Sequence, residues 1–229
     1  MNIERRSVLK GMALGSLAGV AMGSSGLAMA KVMTGGQAQA VPTLALVNTA
    51  VARSAFLEGI NASPVSRQVE VQRTDLSLDF ILGLEKRLRS GQPQRIIGLV
   101  DDATAALIVD LARSSGARVQ WLGHHNAAAM ASQHRLLSAD VAHGCALQLG
   151  VQLNACGTGF ALTEQRLPAR QPTLRLASAA QNAVGSEQWA ATLGYTLATL
   201  GMRSDAQPPL IASRQSPLTG NFVSFSIEA

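Results

Sequence analysis

Apolar residues recur along this chain in an alternating strand-and-helix rhythm. A short apolar run at 44–47 is followed by a helical pattern from about Thr49 with Gly59 as its stop, and residues 69–71 alternate as a strand. Ser77 then caps a helix whose Phe80, Ile81, Leu84 and Leu88 fall on one face before Gly91 ends it. The third unit is the clearest. It has a buried strand at 95–100, Asp101 or Asp102 as the helix cap, an apolar face of Ala105, Ile108, Leu111 and Ala112, a stop at Gly116, and another strand at 118–122. Strands joined by helices of this length run parallel, so the repeat predicts an α/β fold. The expected architecture has three layers around a doubly wound, mainly parallel sheet, Rossmann-like or flavodoxin-like.

The second half is less regular. The pattern predicts a short strand at 135–137, a helix over 142–155, a strand at 160–163 and a long loop over 168–185. A helix over 186–201 carries Trp189, Leu193, Leu197 and Leu200. Residues 222–227 alternate as a closing strand, expected to be antiparallel and at an edge of the sheet. A single core suffices for this length, so residues 42–229 read as one α/β domain, preceded by a Gly- and Gln-containing flexible leader at 31–41.

The N-terminus carries a different signal. It reads Glu4-Arg5-Arg6-Ser7-Val8-Leu9-Lys10, then an uncharged stretch rich in Gly and Ala, then Ala28-Met29-Ala30. This resembles a twin-arginine translocation (Tat) signal peptide: two arginines, any residue, an apolar pair and a lysine, closed by a small-x-small cleavage triplet. Glu4 stands where Ser or Thr is usual, and Val8 where Phe is usual. The resemblance covers residues 1–30 and rests on Arg5, Arg6 and Lys10, with Ala28 and Ala30 marking cleavage. It implies export of an already folded protein to the periplasm by the Tat translocase, often with a cofactor acquired beforehand or with a partner protein. The uncharged stretch at 11–30 is long enough to cross a bilayer, but its small residues and the triplet favour removal, so no stable membrane span is expected after cleavage.

Composition narrows the function classes. At 47% hydrophobic and 14% charged, the chain is too apolar for intrinsic disorder. The net charge of +5 falls to +3 without the first 30 residues, leaving 16 basic and 13 acidic side chains, and aromatic residues are 3% of the chain. Nucleic-acid binding needs a basic stripe with interleaved aromatics, so no nucleic-acid partner is expected.

In open α/β sheets, ligands bind at the carboxyl ends of strands. Those ends supply Asn48, Asp101, Asp102, Thr104, His124 and His125, which together suit a polar ligand, a cation or an acid/base pair, although helix capping alone also explains the aspartates. All four histidines and both cysteines fall between 124 and 156. A metal reading would draw on His124, His125, His143 and Cys145, but no closely spaced ligand motif occurs, and the absence of Cys-x-x-Cys-His excludes covalent haem of the c type. On a helix, Cys145 and Cys156 lie about 16 Å apart and stay free thiols, the favoured reading. Were the alternation Leu147, Leu149, Val151, Leu153 a strand, a disulfide across a bent hairpin would become possible. There is no nucleophile elbow and no phosphate loop. The expected function is a non-catalytic ligand-binding or accessory protein. A metal- or haem-binding redox protein and a small hydrolase or transferase with a His base are the alternatives. No particular cofactor is indicated.

Overall fold

In the computed structural model, residues 41–128, 131–168, 172–180, 188–202 and 218–229 are described. The export signal at 1–30, the leader at 31–40, residues 169–171 and 181–185 of the expected loop and the expected helix start at 186–187 lie outside the described residues. The chain is α/β, with one eight-stranded mixed sheet in the order β2-β1-β3-β8-β4-β5-β6-β7.

The first half follows the predicted rhythm. Strands β1 (Thr43–Val47), β2 (Val69–Arg73) and β3 (Arg95–Val100) are parallel, with β1 in the middle. Between β1 and β2 lies a 3-10 turn at Val51–Arg53 and then helix α1 (Phe56–Asn61), so Gly59 sits inside a helix instead of ending one. Helix α2 (Leu78–Leu88) is capped by Ser77, whose hydroxyl accepts from the Phe80 N–H at 3.2 Å. Helix α3 (Asp102–Ser114) is capped by Asp101. Such caps satisfy an N–H that the helix leaves unpaired, and each contributes about 1 kcal/mol.

After α3 the sheet departs from expectation. Strand β4 (Arg118–Ala127) runs five residues beyond the predicted 118–122 and forms an antiparallel pair with β5 (Ala131–Ser138), itself longer than the predicted 135–137. Helix α4 (Cys145–Ala155) follows a 3-10 turn at Asp140–Ala142, and β6 (Gly159–Arg166) lies parallel to β5. The expected loop at 168–185 contains strand β7 (Leu174–Ser178), antiparallel to β6. Helix α5 (Gln188–Ala198) precedes β8 (Gly220–Glu228).

Strand β8 is antiparallel, as expected, but it is not at an edge. It lies between β3 and β4 and pairs antiparallel with both, so β3 and β4 run in the same direction without touching as neighbours. Its burial matches the central place: from Phe222 to Ile227 every residue is buried, the mark of a strand covered on both faces.

Two cores flank the sheet. One packs Phe80, Leu84, Ala105 and Ile108 of α2 and α3 against Ile96, Val223 and Phe225. The other packs Phe56, Leu149, Trp189 and Leu193 of α1, α4 and α5 against Ile97, Trp121 and Phe222. Every residue of α5 from Trp189 to Ala198 is buried, as a helix that is apolar all round must be. Its neighbour α1 comes so close that a Cβ on Gly59 would lie 1.8 Å from the Ala191 carbonyl oxygen, and one on Gly194 2.1 Å from that of Phe56.

Those two glycines therefore set the α1–α5 distance. Gly59→Ala should lower stability by about 3 kcal/mol, because backbone on both sides must move. Gly83→Ala meets nothing within 4 Å on the exposed side of α2 and should raise stability by about 0.5–1 kcal/mol through helix propensity. Urea denaturation of the two variants checks the contrast; equal effects would contradict it.

Candidate functional site

The six residues expected at strand ends divide into three groups. Asn48, Asp101 and Thr104 bond to one another: Asp101 accepts from the Thr104 N–H and hydroxyl, both at 2.9 Å, and from the Asn48 amide at 3.4 Å. Burial pushes the Asp101 carboxyl up, but the hydrogen bonds from Thr104 and Asn48 outweigh it and hold it below its usual value. These three tie the start of α3 to the end of β1.

Asp102 and His124 form the second group. Both side chains are largely exposed, and His124 Nδ1 lies 3.8 Å from Asp102 Oδ1. His124 stands within the extended β4, not on a loop beyond it, and is level with Val223 of β8 and Arg135 of β5. A cavity of about 530 Å3 opens here. Asp102 and His124 border it together with Asn126, Gln133, Arg135 and Asn221, and it also touches His125 and Phe222. The register explains the convergence. His124 pairs with Arg135, and Asn126 pairs with Gln133 on one side and Asn221 on the other, so alternate residues of three adjacent strands share a face. The Asn126 amide donates to Asn221 Oδ1 at 2.7 Å.

His125, next in the chain, points to the opposite face and is buried. Its Nδ1 is 2.7 Å from Nδ1 of His134, which is directly opposite on β5. Its Nε2 is 2.7 Å from Ser224 Oγ, which also accepts from the Trp121 indole N–H at 2.9 Å. At the far end His134 Nε2 lies 2.8 Å from Ser132 Oγ. Gly123 makes room, since a Cβ there would fall 2.7 Å from Ser224 Oγ and 2.8 Å from His125 Nε2. Trp189 of α5 stacks on His125 with ring centroids 5.5 Å apart. Burial holds both histidines neutral, keeping His125 well below its ordinary value and His134 at about 4.

The four residues of the metal reading do not converge. His124 and His125 face opposite sides of the sheet, His143 lies in the connection before α4, and Cys145 begins α4. Among the described residues no group of three or more His, Cys, Asp or Glu side chains could hold a metal ion. Cys145 and Cys156 stand at the two ends of α4 as free thiols, and burial pushes both above the usual thiol value.

No protein-family model, curated protein or solved structure matches this chain. What the site can do follows from its own groups. The sequence indicated Asp102, His124 and His125, while Arg135, Asn126, Gln133, Asn221, His134 and Ser224 escaped it. No alternation signalled the missed residues, because 124–126 and 133–135 are polar at every position.

The neutral histidine pair makes the fold acid-sensitive. In the unfolded chain an imidazole takes a proton near its ordinary 6.5, whereas folded His134 does so only at about 4. Between those values the unfolded chain binds more protons, so this stabilisation is complete above 6.5 and is lost as pH falls toward 4. Thermal melts should show the midpoint dropping across that window in the natural chain and dropping less in His134→Gln.

Proposed function

We propose that this chain is a periplasmic protein, exported folded by the Tat route and freed of residues 1–30, that binds a small polar ligand without catalysis. It acts as a binding protein or as the accessory partner of another exported protein. The observation that carries the reading is the cavity, where a carboxylate, an imidazole, a guanidinium and three carboxamides gather on one face of β4, β5 and β8 beside the start of α3. Arg135 suits a carboxylate or another planar anion, which its fork of N–H groups can hold with two parallel bonds. Asp102 suits an ammonium or hydroxyl on the same ligand, and the carboxamides supply both donors and acceptors.

The arrangement also supports a finer reading of the fold. The parallel order β2-β1-β3 with its two helical crossovers is that of a doubly wound sheet, Rossmann-like or flavodoxin-like in this half. In such sheets the ligand sits beyond the carboxyl ends of the strands, and the cavity lies beside the α3 end that follows β3.

A hydrolase or transferase reading rests on the Asp102–His124 approach. At 3.8 Å that approach is too long for the hydrogen bond by which a carboxylate orients a catalytic base. Binding is therefore preferred to catalysis.

Two experiments test the proposal. Thermal-shift screening with small carboxylates and amino acids should raise the melting temperature of the natural chain for at least one class. Arg135→Ala should melt at the same temperature as the natural chain without ligand and lose that rise; a rise that survives the substitution removes the cavity from the reading. For export, replacing Arg5 and Arg6 together by Lys should leave uncleaved protein in the cytoplasm on cell fractionation, and undiminished periplasmic protein would refute the Tat route.

A further inference from the structure

The binding role leaves the buried histidine pair unused. Its hydrogens can be counted. The two Nδ1 atoms are 2.7 Å apart, so the gap holds one hydrogen. Each outer nitrogen faces a serine hydroxyl, and a hydroxyl can turn either to donate or to accept. A neutral pair carries two hydrogens on four ring nitrogens, one in the gap and one on an Nε2. A third has a place on the other Nε2, once the serine beside it turns to accept. A fourth has none, because both Nδ1 atoms would then carry hydrogens across 2.7 Å. Trp189 lies against both rings, at 5.5 Å from His125 and 5.7 Å from His134, and offers its π system to any positive charge they hold.

We propose that His125 and His134 form one proton-binding site, which takes up a single proton as a unit, spreads its charge across the Nδ1–Nδ1 hydrogen bond, and so links acidity to the cavity wall built by the same two strands. The proton comes from solvent and adds to a nitrogen lone pair; no bond between heavy atoms breaks and nothing is oxidised.

The elements around the pair carry the following ionisable groups. On β4 there is His124, whose charge together with that of His134 opposes protonation of His125. Arg135 of β5 faces the cavity side, and Glu164 of β6 lies on the histidines' face, two positions from the Leu162 that pairs with His134. From the helices come Glu58 of α1, Cys145 and Cys156 at the ends of α4, and Tyr195 of α5. Strand β8 contributes Ser224 and Phe222 beside the pair, and neither carries a charge.

The link to the cavity is covalent and short. His124 and Asn126 flank His125 on β4, Gln133 and Arg135 flank His134 on β5, and all four border the cavity. An effect on ligand affinity rests on the proposed binding function. The proton site does not.

The test uses the exported chain with 15N-labelled histidine and NMR, from neutral pH to well over one unit below the His134 value of about 4. At neutral pH the two Nδ1 nuclei should show scalar coupling across the hydrogen bond. That coupling should survive the first proton, both rings should report one common midpoint, and the backbone amides of Asn126 and Gln133 should move with it. Ser132→Ala keeps both rings but removes the acceptor for the third hydrogen, so the common midpoint should fall by about one pH unit. His134→Gln should abolish the coupling and the shared movement of the amides. Two independent midpoints near 6.5, no coupling at neutral pH, or an unmoved midpoint in Ser132→Ala would overturn the proton site. Amides of Asn126 and Gln133 that ignore the common midpoint would overturn its link to the cavity. No ligand is involved, so failure of the binding function and failure of the proton site give different results.

Discussion

The antiparallel insertion of β8 between β3 and β4 is the constraint on which the rest depends. Strands β1, β2 and β3 form one group of paired strands, β4 to β7 another, and β8 joins them into a single sheet by hydrogen bonds on both sides. The joining strand also feeds both faces. Val223, Phe225 and Ile227 fill the core under α2 and α3, while Phe222 and Ser224 reach the core under α5. Asn221 then completes the cavity wall. A strand that arrives last in sequence thus closes the sheet, seals both cores and finishes the candidate site.

The first half of the fold was legible because each local signal agreed with its neighbours. The runs at 44–47 and 95–100 are continuous and apolar, Ser77 and Asp101 cap the helices they precede, and Gly91 and Gly116 lie past the helix ends with φ of 68° and 81°. Alternation identified β8 as a strand, but period two does not name a strand's partners. Nothing local distinguishes an antiparallel strand at the edge from one at the centre unless burial on both faces is weighed, and in β8 the serines Ser224 and Ser226 disguise that burial.

The same disguise hid the first half of β5 and the far half of β4. Their inward positions include His125, Ser132, His134 and Ser138, all buried, where a half-buried strand is expected to show apolar residues. Read as polar, they broke the pattern and made the histidines look like loop residues. They are tolerated inside because they satisfy one another, Ser224 with His125, His125 with His134, His134 with Ser132, and Ser138 with Glu164 of β6. The candidate site was legible only in part for the same reason: Asn126 lies in the part of β4, and Gln133 in the part of β5, that extend beyond the strands expected at 118–122 and 135–137.

Stability alone does not account for this buried polar chain. Each hydrogen bond contributes only about 1 kcal/mol net, and apolar residues of similar shape would serve the core about as well. Register is a different matter. His125 and His134 are directly opposed, and Ser224 pairs with Gly123, whose missing side chain admits the Ser224–His125 bond. A slip of one residue in β4 would turn His125 to the outer face and leave the Ser224 hydroxyl and His134 Nδ1 without partners. Two unpaired buried polar groups cost several times what one satisfied bond contributes, so the network selects one alignment of β4, β5 and β8. That alignment is the one that sets His124 beside Arg135, and Asn126 between Gln133 and Asn221, on the other side of the sheet. The geometry of the cavity is therefore fixed from behind, by polar groups that do not themselves face the solvent.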